Sequence, residues 1–438
     1  MNEEVAAASR PCAGVNLRAW FTLLLLSIAY FLCLLDRQIL TVLVDPIKDD
    51  LAISDTQFGL LQGMAFAVFY VTFSVPVARL ADRWNRKVVI GSGLFLWSAA
   101  TCCAGFARTF GGLFGARIGV GIGESCLAPA AYSMLADLFD AKKLGRIIGM
   151  FHTVGALGIA GSVVIGGLLY GHFASLGATS FLGFALPPWG MVLLAVGAPG
   201  VVLAFFIFAL VPEPRRAARA LNSAAQARPQ AEGALLATLL ADRAAFIRLL
   251  VGSSLQAIAG NATLTWAPAY LMRSFDMTPA QAGAQLGIAF AIGAIVGPLA
   301  GGAISDMLFK RSGNSGSLLV LVTCSIATAA SYVPLAMTSS AVAAGAWIAV
   351  ISVFYSAVLA VTASAIQLRA PSGLRAQISA LGLCLNTVVG LGLGAVLVGL
   401  ATDYIFRSPT AVGSSLAVVA VTSSMLGGLL IATLLKRS

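Results

Sequence analysis

Leu113–Phe139, LFGARIGVGIGESCLAPAAYSMLADLF, places two charges, Arg117 and Glu124, well inside an apolar, glycine-rich run. A charge near the centre of a bilayer costs roughly 2.5–3.5 kcal/mol even on lenient insertion scales, so both side chains are expected to face a water-filled cavity or each other. Seven residues at about 100° each return a helix to within about 20° of its starting face, which puts Arg117 and Glu124 on one stripe, two turns apart. A buried structural ion pair is the plainer reading. A substrate and proton site is the functional one.

The rest of the chain fits a membrane setting. Of 438 residues, 59% are hydrophobic and 10% charged, and the mean hydropathy is +0.93, whereas soluble domains carry about 25% charged residues. Apolar runs long enough to cross about 30 Å of hydrocarbon predict twelve spans. They fall at 17–45, 54–79, 87–107, 110–138, 144–172, 187–211, 246–273, 278–305, 317–336, 339–368, 373–403 and 409–435. The net charge of +10 is distributed by topology and does not gather into an aromatic-studded patch, so it argues against nucleic acid. With the N-terminus inside, 20 of 27 Lys and Arg face the cytoplasm and four lie in external loops, leaving Arg37, Arg117 and the borderline Arg248 in spans. This predicts a multi-pass protein of a plasma or bacterial inner membrane with both termini cytoplasmic. The acidic start MNEEVAAASR lacks the basic region of a signal peptide, and no cleavage is expected. All the cysteines but Cys12 lie in spans, without disulfide-like or metal-ligand spacing.

The first span carries Asp36 and Arg37 in its outer half. Neighbours differ by about 100°, so Arg37 aligns with Tyr30 while Asp36 shares a face with Cys33 and Leu40. The second opens with Ser54-Asp55-Thr56-Gln57, a capping-box pattern, and ends in a cluster of Arg79, Asp82, Arg83, Arg86 and Lys87. An internal repeat gives that cluster meaning. At an offset of 224 residues, Ile53–Asp82 matches Met277–Asp306, with Gln57/Gln281, Gly59/Gly283, Gly63/Gly287, Ala65-Phe66-Ala67/Ala289-Phe290-Ala291 and Asp82/Asp306 identical. Lys310 and Arg311 follow the second Asp. Repeated six-span halves are how many secondary transporters build a midplane site that opens to either side.

The organisation expected is a cytoplasmic N-terminus (1–16), a first half (17–211), a polar linker (212–245) and a second half (246–438). The part of the linker near 233–243 has the character of an interfacial amphipathic helix. In the fifth span, Gly155, Gly158, Gly161 and Gly166 allow close helix approach, and His152 is either a proton relay or a hydrogen-bonding group at a helix interface. The second half offers neutral polar candidates, Asn261, Thr265, Tyr355 and Asn386, and no intramembrane acid.

Gly-x-x-x-Asp-Arg-like signals at both repeat turns, with Ala78 in place of glycine in the first and Gly302 in the second, resemble the signature motif of the major facilitator superfamily. Arg117-x-x-x-Gly121 resembles its fourth-helix motif. Within that superfamily, Asp36-Arg37, then Arg-x-x-x-Gly-x-Gly-Glu-x-x-x-x-Pro at 117–129 and Ala136-Asp137-Leu138-Phe139, resemble the spinster family, whose members move lysophospholipids and sphingolipid-type amphiphiles. The resemblance implies an all-α fold of twelve transmembrane helices in two pseudo-symmetric halves, working by alternating access. Organic anion:cation symporters share the Asp-Arg pair and, with drug efflux transporters, are the alternative; the fifth span lacks the Gly-Pro pair of drug:proton antiporters.

In this reading Arg37 and Arg117 bind an anionic or zwitterionic amphiphile. Tyr30, His152, Asn261, Thr265, Tyr355 and Asn386 complete the substrate site. Glu124 and Asp36 carry the proton, and Asp82, Arg83, Arg86, Asp306 and Arg311 form the cytoplasmic gates. No cofactor or metal is expected, the proton gradient being the coupling ion, and the chain is expected to act as a monomer. An enzyme is disfavoured, since no zinc-ligand pair, Gly-x-Ser-x-Gly or Ser/His/Asp set lies at membrane depth.

Overall fold

Residues 17–177, 179–181, 183–213, 243–369 and 375–435 are described in the computed structural model. The N-terminus (1–16) and the part of the linker expected to form an amphipathic helix, near 233–243, fall outside them. In chain order the helices are α1 (Leu17–Ile39), the short α2 (Val44–Leu51), and α3, which runs Asp55–Gly59, Leu60–Met64 and Ala65–Arg83 without a stop. Then come α4 (Arg86–Ala104), α5 (Phe110–Glu124), α6 (Leu127–Leu138), α7 (Ala141–Leu176) and α8 (Pro188–Leu210). The second group is α9 (Arg243–Phe275), α10 (Pro279–Ser312), α11 (Asn314–Met337), α12 (Ala341–Arg369), α13 (Arg375–Leu385 continuing through Asn386–Leu393 and Gly394–Leu400 to Ala401–Phe406) and α14 (Val412–Leu435). Helix satisfies backbone hydrogen bonds within one segment, which hydrocarbon demands.

Among the described residues, ten stretches are long and apolar enough to cross a membrane. The other two expected spans fall short for visible reasons. The fourth is broken, as α5 ends at Glu124 and a turn at Ser125–Cys126 precedes α6. Pro129 has no N–H to return to the Ser125 carbonyl, so one rung of the helical ladder is missing at this turn. The seventh, α9, is long but carries Ser253, Ser254, Gln256, Asn261, Thr263 and Thr265. One departure from an all-helical chain is a small antiparallel hairpin, β1 (Thr179–Phe181) with β2 (Phe184–Leu186), pairing Thr179 with Leu186.

The sequence repeat is visible in three dimensions. Both copies begin with a capping box: the Ser54 hydroxyl accepts from Gln57 N while Gln57 Oε1 accepts from Ser54 N, and Thr278 and Gln281 do the same at α10. One turn on, the matched glycines sit on the two seams where the groups of helices meet. A Cβ on Gly59 would lie 2.6 Å from the Ala395 carbonyl of α13, and one on Gly283 only 2.0 Å from the Val163 carbonyl of α7. Gly63 and Gly287 repeat the arrangement against Gly392 and Val164. These seams close one end of the bundle, here called the acidic end because it carries Asp45, Asp49, Asp50, Asp55 and Asp403. The opposite, basic end carries Arg79, Arg83, Arg86, Lys87, Lys310, Arg311 and Arg369.

Candidate functional site

Between the two groups of helices lies a cavity of about 920 Å³. It reaches from Gln38 and Phe290 at mid-depth to Ile366 and Ser379 near the basic end, and most of its wall is apolar. Among the described residues of its lining, the one permanent charge is Arg37, and the one other titratable base is His152.

Arg37 is half inside the protein. Its side chain is 19% exposed, against 0% for Glu124 behind it. Nε and Nη2 both donate to Glu124 Oε2, at 3.0 and 2.6 Å. The guanidinium carbon lies 4.6 Å above the Phe66 ring and 5.1 Å from that of Tyr70, a cation–π cradle supplied by α3. Gln62, in the widened turn at Leu60–Met64 of α3, donates to the Arg37 backbone carbonyl at 2.8 Å. Wide turns of this kind re-aim side chains and often mark functional sites.

Behind Arg37 the other charges form a buried cluster. Asp36, 3% exposed, accepts from the Thr101 hydroxyl of α4 through Oδ2, while its Oδ1 has no protein partner. Arg117, 2% exposed, makes no ion pair among the described residues; its Nε and Nη2 are unpartnered, and its guanidinium carbon is 5.7 Å from the centre of the Phe66 ring. Glu124 Oε1 is also unpartnered. Unpaired donors on Arg117 and unpaired acceptors on Asp36 and Glu124 are complementary, the pattern that internal water bridges.

Both charges of the opening stretch are therefore buried inside the first group of helices and away from lipid. Of the four charged residues read as binding substrate or carrying the proton, Arg37 alone lines the cavity, and Asp36, Arg117 and Glu124 lie behind it. The reason is steric. The Gly121 surface of α5 lies directly against the Phe66 carbonyl of α3, which covers the α5 stripe and leaves Arg37, from α1, to reach across it.

The remaining candidates divide. His152 lines the cavity, and its Nε2 is 2.9 Å from the Tyr132 hydroxyl. Tyr30 is turned away, its ring stacked on Phe151 at 4.5 Å and laid over Gly155. In the second group, Asn261, Tyr355 and Asn386 line the cavity: Asn261 Nδ2 donates to the Tyr355 hydroxyl at 3.1 Å, and Asn386 Oδ1 accepts from Ser254 at 2.8 Å. Thr265 is fully buried outside the cavity, with no partner for its hydroxyl.

Of the residues read as gates, the Asp82 side chain lies outside what is described. Arg83, Asp306 and Arg311 are exposed, and Asp306 and Arg311 form no ion pair among the described residues. Arg86 is different. It is 1% exposed and joins α4, α6 and the end of α8 by pairing with Asp137 at 2.6 Å and Glu213 at 2.9 Å. Ser133, Asp137 and Glu213, which hold it, belong to its own group of helices.

Sequence reading missed Phe66, Tyr70, Gln62 and Thr101. Phe66 had a signal, since the repeat pairs Ala65-Phe66-Ala67 with Ala289-Phe290-Ala291, and Phe290 lines the cavity.

Known proteins place this geometry in a family. The model of the Major Facilitator Superfamily matches residues 26–395. An MFS-type efflux pump of Mycolicibacterium smegmatis is 28% identical over 391 residues, 88% of this chain and 85% of that protein. A probable L-galactonate transporter of Escherichia coli is 27% identical over 296 residues, 66% of this chain and 62% of its own length. Protein spinster homolog 1 of Xenopus tropicalis is 28% identical over 281 residues, 62% of this chain and 50% of its own. Among solved structures, a bacterial homologue of the human lysosomal transporter spinster, in an inward-facing and unoccupied conformation, superposes with a TM-score of 0.78 at 23% identity, covering 97% of this chain and 98% of that one. The chain belongs to the major facilitator superfamily.

Proposed function

We propose that this secondary transporter moves an anionic or zwitterionic amphiphile of the lysophospholipid or sphingolipid-like class, coupled to protons, with its basic end in the cytoplasm. The supporting observation is that Arg37, ion-paired to the buried Glu124, is the one permanent charge among the described residues on the wall of a largely apolar cavity. A phosphate or carboxylate arriving at Arg37 competes with Glu124 for the same guanidinium donors. As Arg37 turns to the substrate, Glu124 loses its partner in a dry site and takes up a proton, which removes the cost of an unpaired buried charge. Substrate and proton occupancy are linked through one arginine, and by reciprocity each alters the affinity for the other. The apolar lining, including Leu359, Ile366 and Leu383, is suited to an acyl chain. Likeness to spinster proteins supports the same class.

A second reading is supported by the wall opposite Arg37. Asn261, Tyr355, Asn386 and Ser352 line it with neutral hydrogen-bonding groups, and similar proteins include a hexuronate transporter and a D-galactonate transporter. A sugar acid would place its carboxylate at Arg37 and its hydroxyls on that wall. Uptake into proteoliposomes of lysolipids and of hexonates, each with and without an imposed pH gradient, decides. Gradient-driven lysolipid accumulation supports the first reading, hexonate accumulation the second, and transport of either at equal rates without a gradient removes proton coupling.

A further inference from the structure

At the acidic end the two halves exchange charged groups in both directions. Arg273, in the last turn of α9, has a side chain only 8% exposed and reaches into the first half. Its Nη1 and Nη2 donate to Asp55 Oδ2 and Oδ1, both at 2.9 Å, in a two-point fork, while Nε and Nη2 donate to Asp45 Oδ1 at 2.9 and 2.6 Å. Nη1 also meets the Pro409 carbonyl at 3.2 Å. Lys48 of α2 pairs with the same Asp55, which is 1% exposed. In the other direction Asp403, near the end of α13, reaches the first turn of α3. Its Oδ2 accepts from Thr56 N and the Thr56 hydroxyl at 2.7 and 2.6 Å, and its Oδ1 from Asp55 N at 3.3 Å. An anion is favoured there, because the leading N–H groups of a helix lack partners within it.

These contacts bridge the same two groups of helices as the glycine seams, and at the same end. Their charge balance is lopsided: among the described residues, three carboxylates, Asp45, Asp55 and Asp403, converge where Arg273 and Lys48 are the bonded cations. Taking Arg273 away removes an attraction and leaves two of those carboxylates facing a third across the seam with one lysine among them.

We propose that Arg273 is the hub of a two-way electrostatic latch holding the acidic end shut, with Asp403 as its counterpart on α3, and that release of this latch is the step by which the cavity changes the end to which it opens. Arginine suits the hub because its planar fork engages Asp55 at two points and still reaches Asp45, which a lysine point charge cannot do. The inference rests on relative movement of the halves and not on any substrate.

Hydrogen exchange of the full chain in lipid nanodiscs tests it without ligand. Arg273→Gln is expected to raise exchange at 52–60 and 396–410 by about tenfold or more, as a broken buried pair should, and to lower it at 80–90 and 303–312 as the basic end closes. Arg273→Lys should fall between, and Asp403→Asn should give a smaller rise confined to the α3–α13 seam. Unchanged exchange at the acidic end in Arg273→Gln overturns the latch. If that variant instead exchanges faster everywhere, adding Asp45→Asn must restore slow exchange at the seam by relieving the repulsion; failure to do so also overturns it. Substrate uptake does not enter, so a wrong substrate assignment leaves the test intact.

Discussion

The two halves share a repeat and divide the chemistry. In the first, α1, α4 and α5 bury Asp36, Thr101, Arg117 and Glu124, and one of their charges, Arg37, emerges through the Phe66–Tyr70 cradle. In the second, the facing wall offers amides and hydroxyls, already engaged with each other as Asn261–Tyr355 and Ser254–Asn386. Buried charges are costly and are kept where charge is used; neutral groups cost little when paired. The contrast puts the buried charges in the first half and neutral hydrogen-bonding groups in the second.

The largest effect that sharpens the contrast is expected at Arg37. Arg37→Ala leaves Glu124 buried and unpaired, and losing one partner of such a pair costs about 3–5 kcal/mol unless the survivor is neutralised. Ligand binding, measured by calorimetry with whichever anion is transported, should fall by at least about 100-fold, as two strong charge-assisted bonds are lost. Arg37→Lys keeps the charge and loses the two-donor geometry, so an intermediate affinity is expected. An unchanged affinity in Arg37→Ala would remove charge recognition from the first half altogether.

Next comes the proton. Glu124→Gln mimics the protonated acid, and the variant is expected to bind substrate while losing accumulation driven by a pH gradient, roughly a tenfold or greater fall in the gradient-dependent component. Asp36→Asn, whose residue is held by Thr101 and does not touch Arg37 within ion-pair distance, should change it less. The reverse outcome, full coupling in Glu124→Gln and none in Asp36→Asn, moves the carrier to α1.

The seams test whether the repeat is mechanical. Gly283→Leu inserts a side chain where even a Cβ would lie 2.0 Å from the Val163 carbonyl, so the acidic end cannot close as seen. Thiol labelling of cysteines introduced at that end should rise severalfold, with Gly59→Leu giving a comparable rise on the other seam. Equal labelling in both variants and the parent would show that the matched glycines are not needed for closure.

Much of this architecture is legible in the sequence, because each element rests on local pattern. Apolar runs give the spans, capping boxes at Ser54 and Thr278 give two starts, and the 224-residue offset brings out the glycines of both seams. The importance of Arg117 and Glu124 is also readable, from the cost of burying charge. Their partners are not. Periodicity places Arg117 and Glu124 on one stripe of α5, yet Glu124 bonds Arg37, 87 positions away, because α3 packs over that stripe at Gly121 and Phe66. The same limit hid the latch. Asp403 and Arg273 sit at helix ends, where a charge reads as solvated, and only tertiary closure brings them to Asp55 and Thr56. Arg86 reads as part of a basic turn until Asp137 and Glu213 are seen to enclose it.

The smallest effect is expected on the second half's wall, and it is the most discriminating between substrates. Asn261 contributes one amide, held by the Tyr355 hydroxyl and the Ala257 carbonyl at 2.9 Å. Asn261→Ala removes a neutral donor from a cavity surface that water can reach, worth about 1 kcal/mol or some fivefold in affinity. If the cargo is an acyl amphiphile, its tail meets this wall through apolar atoms, and Asn261→Ala or Asn386→Leu should leave affinity within about twofold or raise it. If the cargo is a sugar acid, its hydroxyls need those groups, and the double variant should lose an order of magnitude or more, since an unmatched hydroxyl in a closed site pays its full desolvation. Measured beside Arg37→Ala on the same ligand, the ratio of the two losses reports how the binding free energy divides between the halves: dominated by Arg37 for a lipid, shared for a hexonate.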